Sequence, residues 1–138
     1  MPFTGPIEDR LAIRELYDSY ADGANRGDRA AWLDCWSDDA IWWCHHFERT
    51  GREAIGLQYD QLMASVKQAI FMTQICSIEI SGDAAKARAV CSERLLQTAG
   101  GEYQLTGRYE DELARCDGQW IFVRRIYHVM QEAMVAGA

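Results

Sequence analysis

The chain has 138 residues, 49% of them hydrophobic and 11% aromatic, which is enough apolar surface for one core but not for two. Its 14 basic and 21 acidic residues give a formal net charge of −7, which disfavours binding to nucleic acid or to an anionic membrane surface. We therefore expect residues 1–138 to form a single domain that binds neither nucleic acid nor a membrane.

The N-terminal segment, the lengths of the apolar runs and the cysteines indicate the cellular compartment. The first residues, MPFTGPIEDRL, lack the basic and apolar segments of an export signal, and no apolar run reaches the roughly 18 residues of a membrane span. The 5 cysteines are an odd number without a Cys-x-x-Cys pair, which favours reduced, mostly buried thiols. We expect a cytoplasmic protein.

Three helices are predicted in the first half of the chain. Apolar residues recur at three- and four-residue steps over Ile7–Asn25, which is typical of an amphipathic helix. Gly27 suits the left-handed cap that ends this helix, and Asp28 suits the N-cap of a short second helix over Arg29–Trp36. A third helix is predicted over Glu53–Lys67.

Strands are predicted between the second and third helices and throughout the second half. The tryptophan-rich segment Ala40–Phe47 favours a strand. Turns containing Gly or Asp then separate four long β segments, namely Ile70–Ile80, Ala85–Gln97, Tyr103–Arg115 and Gln119–Met130. Consecutive hairpins make a curled antiparallel sheet, and helices followed by strands indicate an α+β fold.

The first predicted strand carries two of the three histidines. Because side chains alternate along a strand, Trp42, Cys44 and His46 share one face and His45 lies on the other. A register slip of one residue exchanges the two histidines. Since neighbouring histidines then point apart and no carboxylate is spaced to join them, no metal site is predicted.

The order of the elements and the segments LYDSYADGANRGDRAAWLDCWSDDAIWW and GRYEDELARCDGQWIFVRRI resemble the SnoaL-like branch of the nuclear-transport-factor-2-like superfamily. The resemblance covers nearly the whole chain. It implies a cone-shaped α+β barrel, in which a curled, mostly antiparallel sheet wraps on three helices around a deep apolar pocket. It also implies a homodimer or higher homo-oligomer formed through the sheet.

The Asp/His dyad of two relatives, scytalone dehydratase and hexachlorocyclohexane dehydrochlorinase, is absent from this chain. The resemblance places the Asp position on Asn25, whose amide cannot take a proton, and the His position near Phe71. No histidine occurs within Ile70–Ile80. Two interpretations of Asn25 stay open: it positions a substrate, or it has only a structural role at the end of the helix.

The pattern of ketosteroid isomerase, another relative, is matched in part. It places the oxyanion-hole tyrosine on Tyr20, the general base on Cys44 and a second oxyanion donor near Tyr109 or Asp111. Helix geometry puts Tyr20 on the inward arc of the first helix, together with Tyr17. Because the general base of that pattern falls on Cys44, the resemblance implies that the strand face carrying Cys44 lines the pocket.

His46 shares that face and is therefore the predicted acid/base residue, because imidazole titrates near neutral pH. A hydrogen-bonded wall residue is the alternative for His46, and an inert thiol is the interpretation for Cys44. Arg125 matches an arginine that recurs in the SnoaL-like pattern. Its alternative is a structural ion pair with Glu110 or Asp111.

Two functions remain open on the sequence. The first is a cofactor-independent lyase or isomerase that moves a proton on a hydrophobic aromatic or polycyclic hydroxy-ketone, with His46 and Tyr20 as catalytic residues. The second is a non-catalytic module that binds small molecules or assembles with a larger oxygenase. The predicted substrate-binding residues are Tyr17, Asn25, Trp42, Cys44, Phe71, Tyr109 and Arg125.

Overall fold

The computed structural model describes residues 2–137. The helices are α1 (Ile7–Arg26), α2 (Arg29–Leu33) and α3 (Arg52–Met63). The strands are β1 (Phe3–Thr4), β2 (Trp36–Cys44), β3 (Phe47–Thr50), β4 (Val66–Ser81), β5 (Ala84–Gln97), β6 (Glu102–Cys116) and β7 (Gln119–Val135).

The described strands form one sheet in the order β1-β4-β5-β6-β7-β2-β3. Strands β4 to β7 pair antiparallel as successive hairpins, whereas β1 on β4 and β2 on β7 are parallel. Within residues 2–137 the two edge strands do not pair, so the sheet remains an open cone rather than a closed barrel. The predicted α+β fold, with a curled, mostly antiparallel sheet and three helices, is confirmed.

Helix α1 lies against the sheet through the face that its sequence predicts. Ile13, Tyr17 and Tyr20 are buried, at most 3% exposed. Gly27 ends the helix with φ 65°, a left-handed conformation that glycine adopts without a steric penalty. Asp28 caps α2 as predicted, since its carboxylate accepts a hydrogen bond of 3.1 Å from the Ala31 N–H.

The predicted ends of the second and third helices are wrong. The second helix ends at Leu33 rather than Trp36, and Trp36 instead begins β2 and is fully buried. The third helix ends at Met63, because Val66 and Lys67 belong to β4. In each case apolar residues fit both periodicities, and the sheet contacts decide for the strand.

All five cysteines are free thiols, and Cys35, Cys44 and Cys91 are buried while Cys76 and Cys116 are exposed. This agrees with the prediction of reduced, mostly buried thiols. Among the described residues, no helix is both long enough and apolar enough to cross a membrane.

Candidate active site

A cavity of about 270 Å³ lies between the sheet and the three helices. Much of its wall is aromatic, with Trp32 from α2, Trp42 from β2, Tyr59 from α3 and Phe71 from β4. The Trp32 ring centroid lies 4.6 Å from that of Tyr59 and 5.4 Å from that of Trp42. Such packed rings form a rigid apolar surface that suits a flat hydrophobic ligand.

Three nearly buried tyrosines bring hydroxyl groups to this wall. Tyr20 comes from α1, while Tyr109 and Tyr127 are cross-strand partners on β6 and β7 with ring centroids 4.7 Å apart. Burial raises the pKa of each hydroxyl above its ordinary value, and the negative charge of Glu93 adds to that effect. The tyrosines therefore remain neutral hydrogen-bond donors near neutral pH.

The place of Tyr127 depends on a glycine across the sheet. A Cβ at Gly107 would collide with the Tyr127 ring. Only glycine at position 107 therefore allows the ring to occupy its observed position. Within residues 2–137 the buried Tyr127 hydroxyl has no hydrogen-bond partner. A buried donor without a partner destabilises the folded protein.

Glu93 is the carboxylate of the cavity wall. It lies on β5 and pairs directly with Phe71 of β4 and Leu105 of β6. Loss of water around the carboxylate raises the pKa of Glu93 from 4.5 to about 7, and the positive charge of Arg125 opposes that rise only in part. A carboxyl group with this pKa gains and loses a proton near neutral pH, as an acid/base catalyst must.

A second carboxylate, Asp111, is held by a buried ion pair. Arg125 Nε and Nη2 lie 2.9 and 3.0 Å from the two Asp111 oxygens, and the Tyr17 hydroxyl donates to the same carboxylate. The guanidinium also lies over the Tyr109 ring, 3.6 Å from its centroid, and 4.5 Å from that of Tyr20. This cluster fixes the orientation of two cavity tyrosines.

The sequence model of the SnoaL-like domain family matches residues 6–126, which are most of the chain. The protein belongs to the SnoaL-like family. Its cone-like α+β fold is the one that the resemblance of the segments around α1, β2 and β6 implies.

Solved structures give the same fold. A proposed aromatic ring hydroxylase of Novosphingobium aromaticivorans shares 24% identity, with 96% of each chain covered and a TM-score of 0.88. A proposed scytalone dehydratase of the same organism shares 21% identity over 95% of this chain and 93% of its own, with a TM-score of 0.86. A type 2 hexachlorocyclohexane dehydrochlorinase shares 22% identity over 96% and 92%, with a TM-score of 0.80. At these identities the likeness establishes the fold alone. No curated protein matches the chain.

Six of the nine residues predicted for the site line the cavity of this SnoaL-like protein, namely Tyr20, Trp42, Cys44, His46, Phe71 and Tyr109. The other three do not line it. Tyr17 and Arg125 hold Asp111 beneath the wall, so the ion pair that the sequence left as an alternative for Arg125 is present. Their predicted contact with a substrate has no support in this arrangement.

Asn25 lies at the end of α1 and ties the helix to β4. Its Nδ2 donates to the Phe71 carbonyl at 2.9 Å, and its Oδ1 accepts from the Phe71 N–H at 2.6 Å. Both the Nδ2 and the Oδ1 of Asn25 are therefore hydrogen-bonded to the backbone of Phe71. This arrangement agrees with the alternative that Asn25 has a structural role at the end of the helix. The same contacts place the Phe71 ring in the cavity.

The predicted alternation of the two histidines is wrong. Strand β2 ends at Cys44, and His45 and His46 form the two-residue turn that leads into β3. In a turn successive side chains need not point apart, and here the two imidazole centroids are 3.7 Å apart. Both side chains are exposed, 46% for His45 and 58% for His46, and His46 contributes to the mouth of the cavity.

Sequence reasoning missed Glu93. The pattern that would have found it is the alternation along β5, where Ala85, Ala87, Ala89 and Cys91 are all buried. Glu93 continues this row by one more step of two residues. A carboxylate on the buried face of a strand is unusual enough to indicate a functional site.

Proposed function

We propose that this SnoaL-like protein is a cofactor-independent enzyme that moves a proton on a hydrophobic aromatic or bicyclic carbonyl compound. Glu93 is the proton acceptor and donor, and Tyr20 and Tyr109 are donors to the oxygen that gains negative charge. The single observation that carries the proposal is the Glu93 carboxylate, which faces an apolar cavity with a pKa raised to about 7.

The chemistry follows from the groups on this wall. Glu93 in its ionised form takes a proton from a carbon next to a carbonyl group, and the electron pair of that C–H bond moves towards the carbonyl oxygen. Neutral tyrosine hydroxyls stabilise the resulting enolate by hydrogen bonds in a water-poor cavity. Protonated Glu93 then returns the proton to another carbon, which is an isomerisation, or to a departing hydroxyl, which is an elimination.

Glu93 takes the role that the sequence assigned to His46. Its carboxylate lies in the wall beside the tyrosines, whereas the His46 side chain is 58% exposed at the mouth. The register of the sheet supports this choice, because Glu93 is the direct partner of Phe71, where the resemblance places the histidine of the dyad. Glu93 therefore brings a titratable group to the same part of the wall from the neighbouring strand.

The cavity also limits the class of substrate. A volume of about 270 Å³ is slightly below the range of about 300–1,000 Å³ that is usual for ligand pockets, which favours one or two fused rings over a larger polycycle. Aromatic walls favour a flat molecule. The names of two solved neighbours, scytalone dehydratase and hexachlorocyclohexane dehydrochlorinase, describe elimination chemistry and support the reaction class as a proposal.

Deuterium exchange on a simple bicyclic ketone tests the reaction without the natural substrate. In heavy water the protein is expected to exchange the α-protons of 1-tetralone faster than buffer does, measured by NMR. Glu93→Gln should lose this activity, and Tyr20→Phe should reduce it about 100- to 1000-fold, as removal of an oxyanion donor does. Glu110→Gln is the control, since Glu110 is an exposed residue outside the cavity wall.

Binding must be measured on the same samples. Quenching of the cavity tryptophans Trp32 and Trp42 reports whether the ketone enters. Binding without exchange, equal in wild type and Glu93→Gln across a series of aromatic ketones, would contradict the enzyme and support the alternative of a non-catalytic binding module.

A further inference from the structure

We infer that the mouth of the cavity carries a binding site for one divalent transition-metal ion, formed by His45, His46 and Glu132. The two imidazoles lie in the β2–β3 turn, and Glu132 comes from the far end of β7. Their donor atoms all lie within 4.8 Å of one another. This site is separate from Glu93 and does not depend on the proposed reaction.

The distances are close to those of a coordinated ion. His45 Nε2 lies 3.8 Å from Glu132 Oε1, and His46 Nε2 lies 3.6 Å from Glu132 Oε2. Two donors that bind one zinc ion at about 2.0–2.2 Å are roughly 3–3.5 Å apart. The three donor atoms lie within 4.8 Å of one another, so each exposed side chain must move by no more than about 1–1.5 Å to complete the site.

Glu132 is held in place by a neighbour that does not itself belong to the donor set. The Tyr103 hydroxyl donates a hydrogen bond to the Glu132 carboxylate. The carboxylate is therefore oriented before an ion arrives. Oriented ligands with such outer contacts are typical of built metal sites.

The chemistry of the donors selects the ion. Two imidazoles and one carboxylate suit zinc, cobalt, nickel, copper and iron, whereas magnesium and calcium prefer oxygen donors. The formal net charge of −7 favours cations in general. Three protein donors leave at least one coordination position open.

The position of the site gives it a structural consequence. His46 and Tyr103 both line the cavity, so the ion would connect the β2–β3 turn to the end of β7 across the mouth. His46 and Glu132, which have 85 residues between them in the sequence, would then be joined by a short link. An ion at this place would restrict entry to the cavity and raise thermal stability.

A cobalt and zinc titration tests the inference. The protein is stripped with a chelator and titrated with Co²⁺, whose visible absorption reports coordination, and with Zn²⁺ by calorimetry. Cys76→Ser/Cys116→Ser serves as the background beside wild type, because both thiols are exposed and bind these metals themselves. One ion per chain is expected.

Variants identify the donors. His46→Ala and Glu132→Gln should each weaken binding by about 100-fold or more, and Tyr103→Phe by about 10-fold. His128→Ala is the matched control, since this histidine lies 3.2 Å from Glu110 and outside the cluster, and it should bind as wild type does. Circular dichroism of the metal-free variants shows whether they are folded.

Three results would overturn the inference. They are the absence of binding in folded wild type, binding that survives both His46→Ala and Glu132→Gln, and one ion per two chains, which would place the ion between copies.

Discussion

Asp111 and Glu93 are carboxylates on neighbouring strands of one sheet, but their surroundings differ. Asp111 has a bidentate ion pair with Arg125 and a hydrogen bond from Tyr17. Glu93 faces the cavity, and the distant charge of Arg125 opposes its loss of water only in part. Burial raises the pKa of both carboxyl groups, but Asp111 is held by an ion pair inside the protein, whereas Glu93 faces the cavity and can exchange a proton with a ligand.

The difference shows that environment rather than residue type assigns the roles. Pairs of titratable groups whose surroundings treat them differently are a recurrent feature of acid/base sites. In this cavity Asp111 supports the tyrosines through Arg125, whereas Glu93 is available to a ligand. Substitutions at the two positions should therefore fail in different ways.

The largest effect is expected at Asp111. Asp111→Asn leaves the Arg125 guanidinium, 1% exposed, without its counter-charge. Removal of one partner of a buried ion pair costs about 3–5 kcal/mol of unfolding free energy. Urea unfolding measures the loss, and Asp22→Asn on the exposed face of α1 is the control, with a change below about 0.5 kcal/mol. An equal, small change in both variants would show that the ion pair contributes little.

Glu93→Gln should change stability in a pH-dependent manner. Because the pKa of Glu93 is raised in the folded protein from 4.5 to about 7, the folded state binds the proton more tightly than the unfolded state. Ionisation therefore destabilises the wild type as pH rises through this interval, and the neutral glutamine avoids that loss.

From about pH 5 to about pH 8, the stability of Glu93→Gln relative to wild type should rise by about 1–3 kcal/mol, since one pKa unit corresponds to about 1.4 kcal/mol and the carboxylate is only half-buried. Urea unfolding at both pH values measures this shift. A pH-independent difference would mean that Glu93 titrates at an ordinary pKa and would remove the main support for its acid/base role.

A smaller effect is expected at Asn25. Asn25→Asp replaces the donor that bonds the Phe71 carbonyl with a second acceptor, so one hydrogen bond becomes a repulsion. We expect a loss of about 1–2 kcal/mol by thermal or urea unfolding. Asn25→Ser, which removes both contacts without adding charge, is the comparison. Asn25→Asp also introduces the aspartate that the resemblance places in the Asp/His dyad of two relatives. It should nevertheless not increase ketone exchange, and an increase would show that the side chain at position 25 reaches the ligand.

Much of the fold was predictable because it depends on local patterns. The three-residue periodicity of Ile7–Asn25 predicted α1 to within one residue, and Gly27 and Asp28 marked the break after it. The turns that contain Gly and Asp predicted where the four long strands are separated from one another. The short strands β1 and β3 were missed, since two to four residues carry too little pattern to be recognised.

The site was predictable only in part. Tyr20, Trp42 and Tyr109 line the cavity as the resemblance implies. The histidines were misplaced because a strand of eight residues was assumed where β2 ends at Cys44, and one turn changes the direction of every side chain after it.

The sequence by itself determined the order of the elements and the buried faces, because these follow from composition, periodicity and turn residues, and its resemblance to SnoaL-like domains indicated the family. Only the tertiary structure decided which polar groups meet. Glu93 joins Phe71 and the tyrosines through strand register, and Glu132 reaches the histidines from the far end of β7. Contacts between residues so distant in the chain depend on how the sheet curls, which no local pattern encodes.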